Sequence, residues 1–272
     1  MSDFLNEMAE RSAARAAKIR QPFSMAALEK PAFPLRLSGF DLVAEIKNRS
    51  PAEGDLATKE ESRVDRALQY VAGGAAAISV ITEPDRFDGA LGHLEEVVNA
   101  VAEKKIPVMR KDFLVDTAQV VEAKAAGASG VLLIAAILED RQLTNMLDCA
   151  FGNDLFVLLE AFDETDLERI NRLTRNGSVK AQAERKKFLV GVNTRDLRSL
   201  EVDRTRLKKF ASLLPEGITC VAESGLRNAA DAADAAERGY GMALVGTALM
   251  RAEDPAGLIA KMLEAGRQKV AA

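Results

Sequence analysis

IPVMRKDFLVDTAQVVEAKAAGASGVLLI, residues 106–134, contains one complete unit of the pattern that decides the fold. Two short apolar runs, IPVMR at 106–110 and GVLLI at 130–134, enclose AQVVEAKAAGA, whose alanines and acids fall at helical spacing with a glycine near its end. The runs are apolar on both faces, which suits strands of a parallel sheet covered by helices rather than half-exposed antiparallel strands. Outward from this unit the same grammar repeats. LVAEI at 42–46, AAISVI at 76–81, LFVLLE at 155–160, FLVGV at 188–192, ITCVA at 218–222 and MALVG at 242–246 complete eight candidate strands. Their starts lie 24 to 34 residues apart, the length of one strand, one helix and two loops. Eight such units in one chain predict a single (β/α)8 barrel spanning residues 1–272, with an open doubly wound sheet as the competing arrangement. No glycine fingerprint of a dinucleotide fold follows the first run.

Composition narrows the classes further. With 272 residues, 48% of them hydrophobic and 29% charged, the chain can bury a large core, which excludes disorder and a disulfide scaffold. A net charge of −4 gives no general attraction to nucleic acid or to an anionic membrane. No apolar run approaches the roughly 18 residues of a membrane span. Cys149 and Cys220 lack a CxxC spacing and read as reduced core thiols of a cytoplasmic protein. The single histidine, His93, excludes a His-rich metal site and reads as solvated near a helix start. Residues 1–40 form a helical preface to the barrel without the apolar centre of an export signal. The charged connection TRNGSVKAQAERKK at 174–187 leads into a strand, so it belongs on the face opposite the chemistry.

Barrel enzymes work at the C-terminal ends of their strands. Those positions hold Glu45, Lys47, Ser50, Lys111, Glu160, Asn193, Arg195, Glu223 and Ser224, then Gly246 and Thr247. A single loop charge at any of them is ordinary; Lys111 could pair with Asp112, and Arg195 with Asp196. Two lysines and three glutamates brought to one rim are a different matter, because clustered ionisable groups tune one another for acid–base work. AESGL, containing Ser224 and Gly225, and LVGTALM, containing Gly246 and Thr247, supply small residues and backbone N–H groups in the last two units. There a barrel commonly binds phosphate, so a phosphorylated small molecule is the expected ligand.

The ordered segments LVAEIKNRSP, ISVITEPDRFDGAL, PVMRKDF, LLIAAIL, the LLE ending at Glu160, GVNTRDL, AESGL and LVGTALM resemble the indole-3-glycerol phosphate synthase family, from about residue 40 to 255. The resemblance implies a carboxy-lyase of tryptophan biosynthesis that closes the indole ring of 1-(2-carboxyphenylamino)-1-deoxyribulose 5-phosphate without metal or organic cofactor. It implies Lys111 as general acid, Glu160 as base, Lys47 as partner of the substrate carboxylate, and Glu45 and Asn193 as orienting groups. Phe87 and Phe113 would hold the benzene ring, Ser50, Ser224, Gly225, Gly246 and Thr247 the phosphate with Arg195 nearby, and Glu223 would complete the polar rim. It also implies that residues 1–40 pack over the barrel mouth, and a monomer or weak homodimer is expected. Departures from the family pattern fall at Asn48, Arg49 and Ala52 around the first loop, at Thr194 after Asn193, and at Ala222 before Glu223. Phosphoribosylanthranilate isomerase, a sister barrel, would need a cysteine at the end of the first strand, where Glu45 and Lys47 stand. A non-catalytic paralogue binding a phosphorylated ligand is the remaining alternative.

Overall fold

The computed structural model describes residues 3–20, 22–51, 53–56, 62–195, 202–203 and 205–270. Eight parallel strands close into a barrel: β1 (Asp41–Ile46), β2 (Ala77–Ile81), β3 (Val108–Lys111), β4 (Gly130–Ile134), β5 (Phe156–Ala161), β6 (Phe188–Asn193), β7 (Cys220–Glu223) and β8 (Met242–Val245). Each strand pairs with its neighbours in sequence, and β1 joins β8 through Asp41 opposite Met242 and Ala44 opposite Val245. Open-sheet topology is thereby excluded. The third strand begins at Val108 rather than at 106, since Pro107 has no N–H to give a ladder. It runs through Lys111, which therefore stands on the strand rather than in the following loop.

Thirteen helices are described: α1 (Asp3–Ala16), α2 (Met25–Leu28), α3 (Arg63–Ala72), α4 (Pro84–Phe87), α5 (Leu91–Val101), α6 (Thr117–Ala125), α7 (Asp140–Gly152), α8 (Glu164–Leu173), α9 (Gly177–Glu184), α10 (Thr205–Phe210), α11 (Ala229–Glu237), α12 (Thr247–Met250) and α13 (Pro255–Val270). Several of their starts are chemically marked. Asp116 and Gln119 form a reciprocal capping box on α6, and the Glu83 carboxylate accepts from three backbone N–H groups at the start of α4. Apart from Lys111, every residue of the eight strands is buried, so helices cover one face while side chains fill the lumen on the other. Each fully buried Val, Leu or Ile contributes roughly 1.5–3 kcal/mol, which makes this ring the dominant stabilising element.

The N-terminal segment is a strap along the outside of the ring. Helix α1 lies against the C-terminal ends of β2 and β3, where Arg15 Nη2 is 2.7 Å from Asp112 Oδ1. Ser12 Oγ accepts from Gln119 Nε2 at 2.8 Å. The chain then descends beside α6, with Lys124 Nζ donating to the Lys30 carbonyl and Phe33 N to Ser129 Oγ. It arrives at the barrel floor, where Asp41 accepts from Ser38 N and pairs with Arg267.

The 174–187 connection contains a short helix of its own, α9, capped by Asn176 and seated through Val179 and Ala183. It enters β6 at the floor, and Lys187 is ion-paired with Asp154 beside the start of β5. Glu184, Arg185 and Lys186 are exposed, whereas Lys187 is half-buried. His93 is likewise half-buried in the first turn of α5 rather than solvated, with burial and then Arg63 pushing its pKa below the usual value. Cys149 lies in α7 and Cys220 at the floor end of β7; both are free thiols remote from the end of β1.

Candidate active site

At the C-terminal end of the ring the inward-facing side chains surround a cavity of about 670 Å³. Glu45, near the end of β1, is the centre of its charge distribution. Its Oε1 is 2.8 Å from Lys47 Nζ, just beyond β1, and its Oε2 is 3.0 Å from Lys111 Nζ at the end of β3. Burial alone would raise the carboxyl's pKa, but Lys111 and then Lys47 outweigh it and hold the value at about 2. Burial acts against the Lys111 ammonium as well; Glu45, Glu160 and Glu223 more than offset it and keep this lysine firmly protonated, above its ordinary range. Lys111 thus pairs with Glu45 rather than with Asp112, which bonds instead to Thr82 Oγ1 and Arg15.

Glu160 approaches from β5. Asn193 Nδ2, at the end of β6, donates to its Oε1 at 3.1 Å, while Asn193 Oδ1 accepts from Arg195 N at 2.8 Å. One amide therefore fixes the orientation of the carboxylate and the course of the chain leaving β6. Glu223 departs from the sequence expectation. It is as buried as Glu45 and Glu160, at 1% exposure, but is not among the residues lining the cavity. Its strand register, opposite Asn193 and Leu244, drops the side chain into the lumen, into the space that Gly191 leaves empty. Among the described residues Glu160 is the carboxyl group within hydrogen-bonding reach of Glu223. Burial, then the nearby charge of Glu160, pushes its pKa well above the usual carboxylate range.

The two ends of the cavity differ in kind. At one end Phe87 and Phe113 have ring centroids 6.3 Å apart, and Phe4 of α1 meets Phe113 edge-on at 6.0 Å. At the other end Ser50, Ser224, Gly225, Gly246 and Thr247 form the wall, with Arg195 beside them. Ser224 and Gly225 have φ of 67° and 77°, a turn that exposes consecutive backbone N–H groups. Thr194 secures that turn by donating from Oγ1 toward the carbonyls of Glu223 and Ser224, which gives the departure at this position a structural part. Ala222 is fully buried and is not part of the cavity wall. Asn48 Nδ2 donates to the Asp88 carbonyl, tying the first loop to the second, and Arg49 is exposed and paired with Asp55. Ala52 and Asp196 lie outside the described residues.

Of the fourteen sequence-derived site residues, all but Glu223 line this one cavity. Sequence reasoning missed Phe4, Glu53, Glu83, Asp112 and Arg251 on its wall. Glu83 and Asp112 each follow a strand directly or nearly so, a position that could have flagged them. Phe4 and Arg251 carry no comparable signal.

Closed barrel and cavity together define a (β/α)8-barrel enzyme with a buried lysine–carboxylate cluster at the strand ends. The barrel is shared widely. 3-Hexulose-6-phosphate synthase from Salmonella typhimurium superposes with a TM-score of 0.62 over 84% of this chain and 99% of its own, at 16% identity. Orotidine 5'-phosphate decarboxylase from Pyrococcus horikoshii OT3 does so with 0.54 over 84% and 99%, at 18% identity. Sequence comparison is more discriminating. Residues 5–262 match the family described as indole-3-glycerol phosphate synthase. The enzyme of that name from Nocardioides sp. is 41% identical over 94% of this chain and 93% of its own length, and that from Parafrankia sp. is 41% identical over 85% and 81%. The chain belongs to the indole-3-glycerol phosphate synthase family.

Proposed function

We propose that this cavity converts 1-(2-carboxyphenylamino)-1-deoxyribulose 5-phosphate to indole-3-glycerol phosphate, with the residue roles that follow. The aromatic carbon bearing the carboxylate attacks the sugar ketone, forming the new C–C bond, and the ketone oxygen takes a proton. Loss of CO₂ and then of water restores the aromatic ring as an indole. Lys111 is the general acid. Although its ammonium is held more tightly protonated than usual, a developing alkoxide is a stronger base than an amine, so the transfer runs toward oxygen. Lys47 faces the substrate carboxylate, and Glu45 holds both cations in place. Glu160, oriented by Asn193, removes the proton whose departure accompanies loss of the hydroxyl. Phe87 and Phe113 flank the benzene ring. Ser50, Ser224, Gly225, Gly246, Thr247 and Arg195 receive the phosphate.

The observation that carries this reading is the arrangement of two cations on one buried carboxylate facing a second, amide-oriented carboxylate across a cavity with one aromatic and one small-residue end. A non-catalytic phosphate binder has no use for the buried lysine–glutamate centre. The same reading places the protein in the cytoplasm as a monomer or weak homodimer. In its support, the two thiols are free and no helix of the described residues is long and apolar enough to cross a membrane.

Indole fluorescence appearing from the synthetic substrate tests the activity. Lys111→Ala and Glu160→Gln should each lower kcat by about 10²–10⁴-fold, the usual contribution of one positioned acid or base. An unchanged kcat in either variant would remove that residue from the chemistry.

A further inference from the structure

The hairpin after β1, Arg49–Ser50 against Gly54–Asp55, carries Glu53 to the small-residue end of the cavity. There its Oε2 is 2.9 Å from Arg251 Nη1, just past α12, and its Oε1 is 4.0 Å from Arg195 Nη2, just past β6. Glu53, Arg195 and Arg251 line the same cavity as Ser50, Ser224 and Gly246. One carboxylate therefore sits between guanidinium groups supplied by two other loops. The arrangement is wet: the Arg251 side chain is 57% exposed and that of Glu53 28%. Ion pairs of this kind are weak and exchange at little cost. A phosphate monoester offers guanidinium groups nearly twice the charge of a carboxylate and more acceptor oxygens, so it outcompetes the internal partner.

We propose that Glu53 is a specificity-determining residue: an internal anion that occupies Arg251 and Arg195 until the phosphate of the substrate displaces it. It returns to the arginines as phosphorylated product leaves. The inference rests on the phosphate placement given above. It adds a discriminating function to that corner, since a ligand without phosphate leaves the carboxylate on its arginines and gains no binding from them. No covalent step is involved; one salt link is exchanged for another.

Inhibition by inorganic phosphate, followed with the fluorescence assay in a phosphate-free buffer, tests the idea on the full chain. Glu53→Gln keeps the shape and removes the charge, so the inhibition constant for phosphate should fall about threefold or more, the scale of one exposed ion pair. Arg251→Gln should raise it. A hairpin with a merely structural role predicts loss in both variants, so the opposite signs are the discriminating result. The dephosphorylated substrate analogue, used as a competitor, should not gain from Glu53→Gln in the same proportion. An unchanged or raised phosphate constant in Glu53→Gln, or an equal gain for the unphosphorylated competitor, would overturn the role of Glu53 alone. A wild-type enzyme and both variants that turn over normally and ignore phosphate would overturn the phosphate placement together with this inference.

Discussion

Gly191 shows how a residue without a side chain shapes the centre. A methyl group there would overlap the Glu223 carboxyl. Gly191→Ala should therefore displace Glu223 toward Glu160 and destabilise the fold by about 1–3 kcal/mol, the range for overpacking a dense interior. Denaturant unfolding measures the second effect, and a fall in kcat at unchanged substrate affinity measures the first. At this scale much was legible in the sequence. Lys47, Lys111, Glu160 and Asn193 stand at the ends of apolar runs, and strand ends of a barrel converge. Depth was not legible: whether a strand-end glutamate reaches the rim or falls into the lumen depends on stagger between strands and on a neighbouring glycine. The inward position of Glu223 is of that kind. The sharing of Glu45 between Lys47 and Lys111 needed β1 and β3 in register across β2, and sequence spacing does not encode that register.

Helix α8 follows β5, which carries Glu160, and its entry is governed by a carboxyl with an unusual titration. Asp163 caps the helix by accepting from Asp166 N, while Asp166 Oδ2 accepts from Phe162 N at 2.9 Å. Burial raises the Asp166 pKa to about 6. A folded-state value above the unfolded one stabilises most below the unfolded pKa, and that contribution is lost as pH rises through about 6. Asp166→Asn keeps an acceptor and cannot ionise. Its stability relative to the native chain should grow between pH 4 and pH 7 by on the order of 1–3 kcal/mol. Urea midpoints at the two pH values check it, and equal midpoint differences would contradict it. Helix α9 marks the limit of reading elements from pattern. The charged 174–187 stretch takes its face of the barrel from preceding a strand, yet its one short helix has too few apolar residues to announce itself.

Across the whole molecule, periodicity identified the ring because eight buried strands each leave the same apolar trace. The path of the strap left none. Its fixings are single polar contacts between residues about a hundred positions apart, such as Arg15 with Asp112 and Phe33 with Ser129. Arg15 also lies 3.6 Å from Glu83, so one guanidinium serves two buried carboxylates beside the aromatic end of the cavity. Arg15→Gln should cost about 1–3 kcal/mol through the charges left behind. Because Phe4 would lose its hold on Phe113, KM should rise more than kcat falls. Calorimetry and steady-state kinetics on the same preparation separate the two effects, and a KM equal to the native value would detach α1 from substrate binding.

The seam between β1 and β8 has a bearing on biosynthesis. Residues 41–44 close the ring by pairing with 242–245, so it cannot shut until that last strand has left the ribosome. Until then β1 and β7 present bare hydrogen-bonding edges, open to any passing strand. The interval between translating residue 41 and residue 245 is thus the period in which those edges stand unprotected.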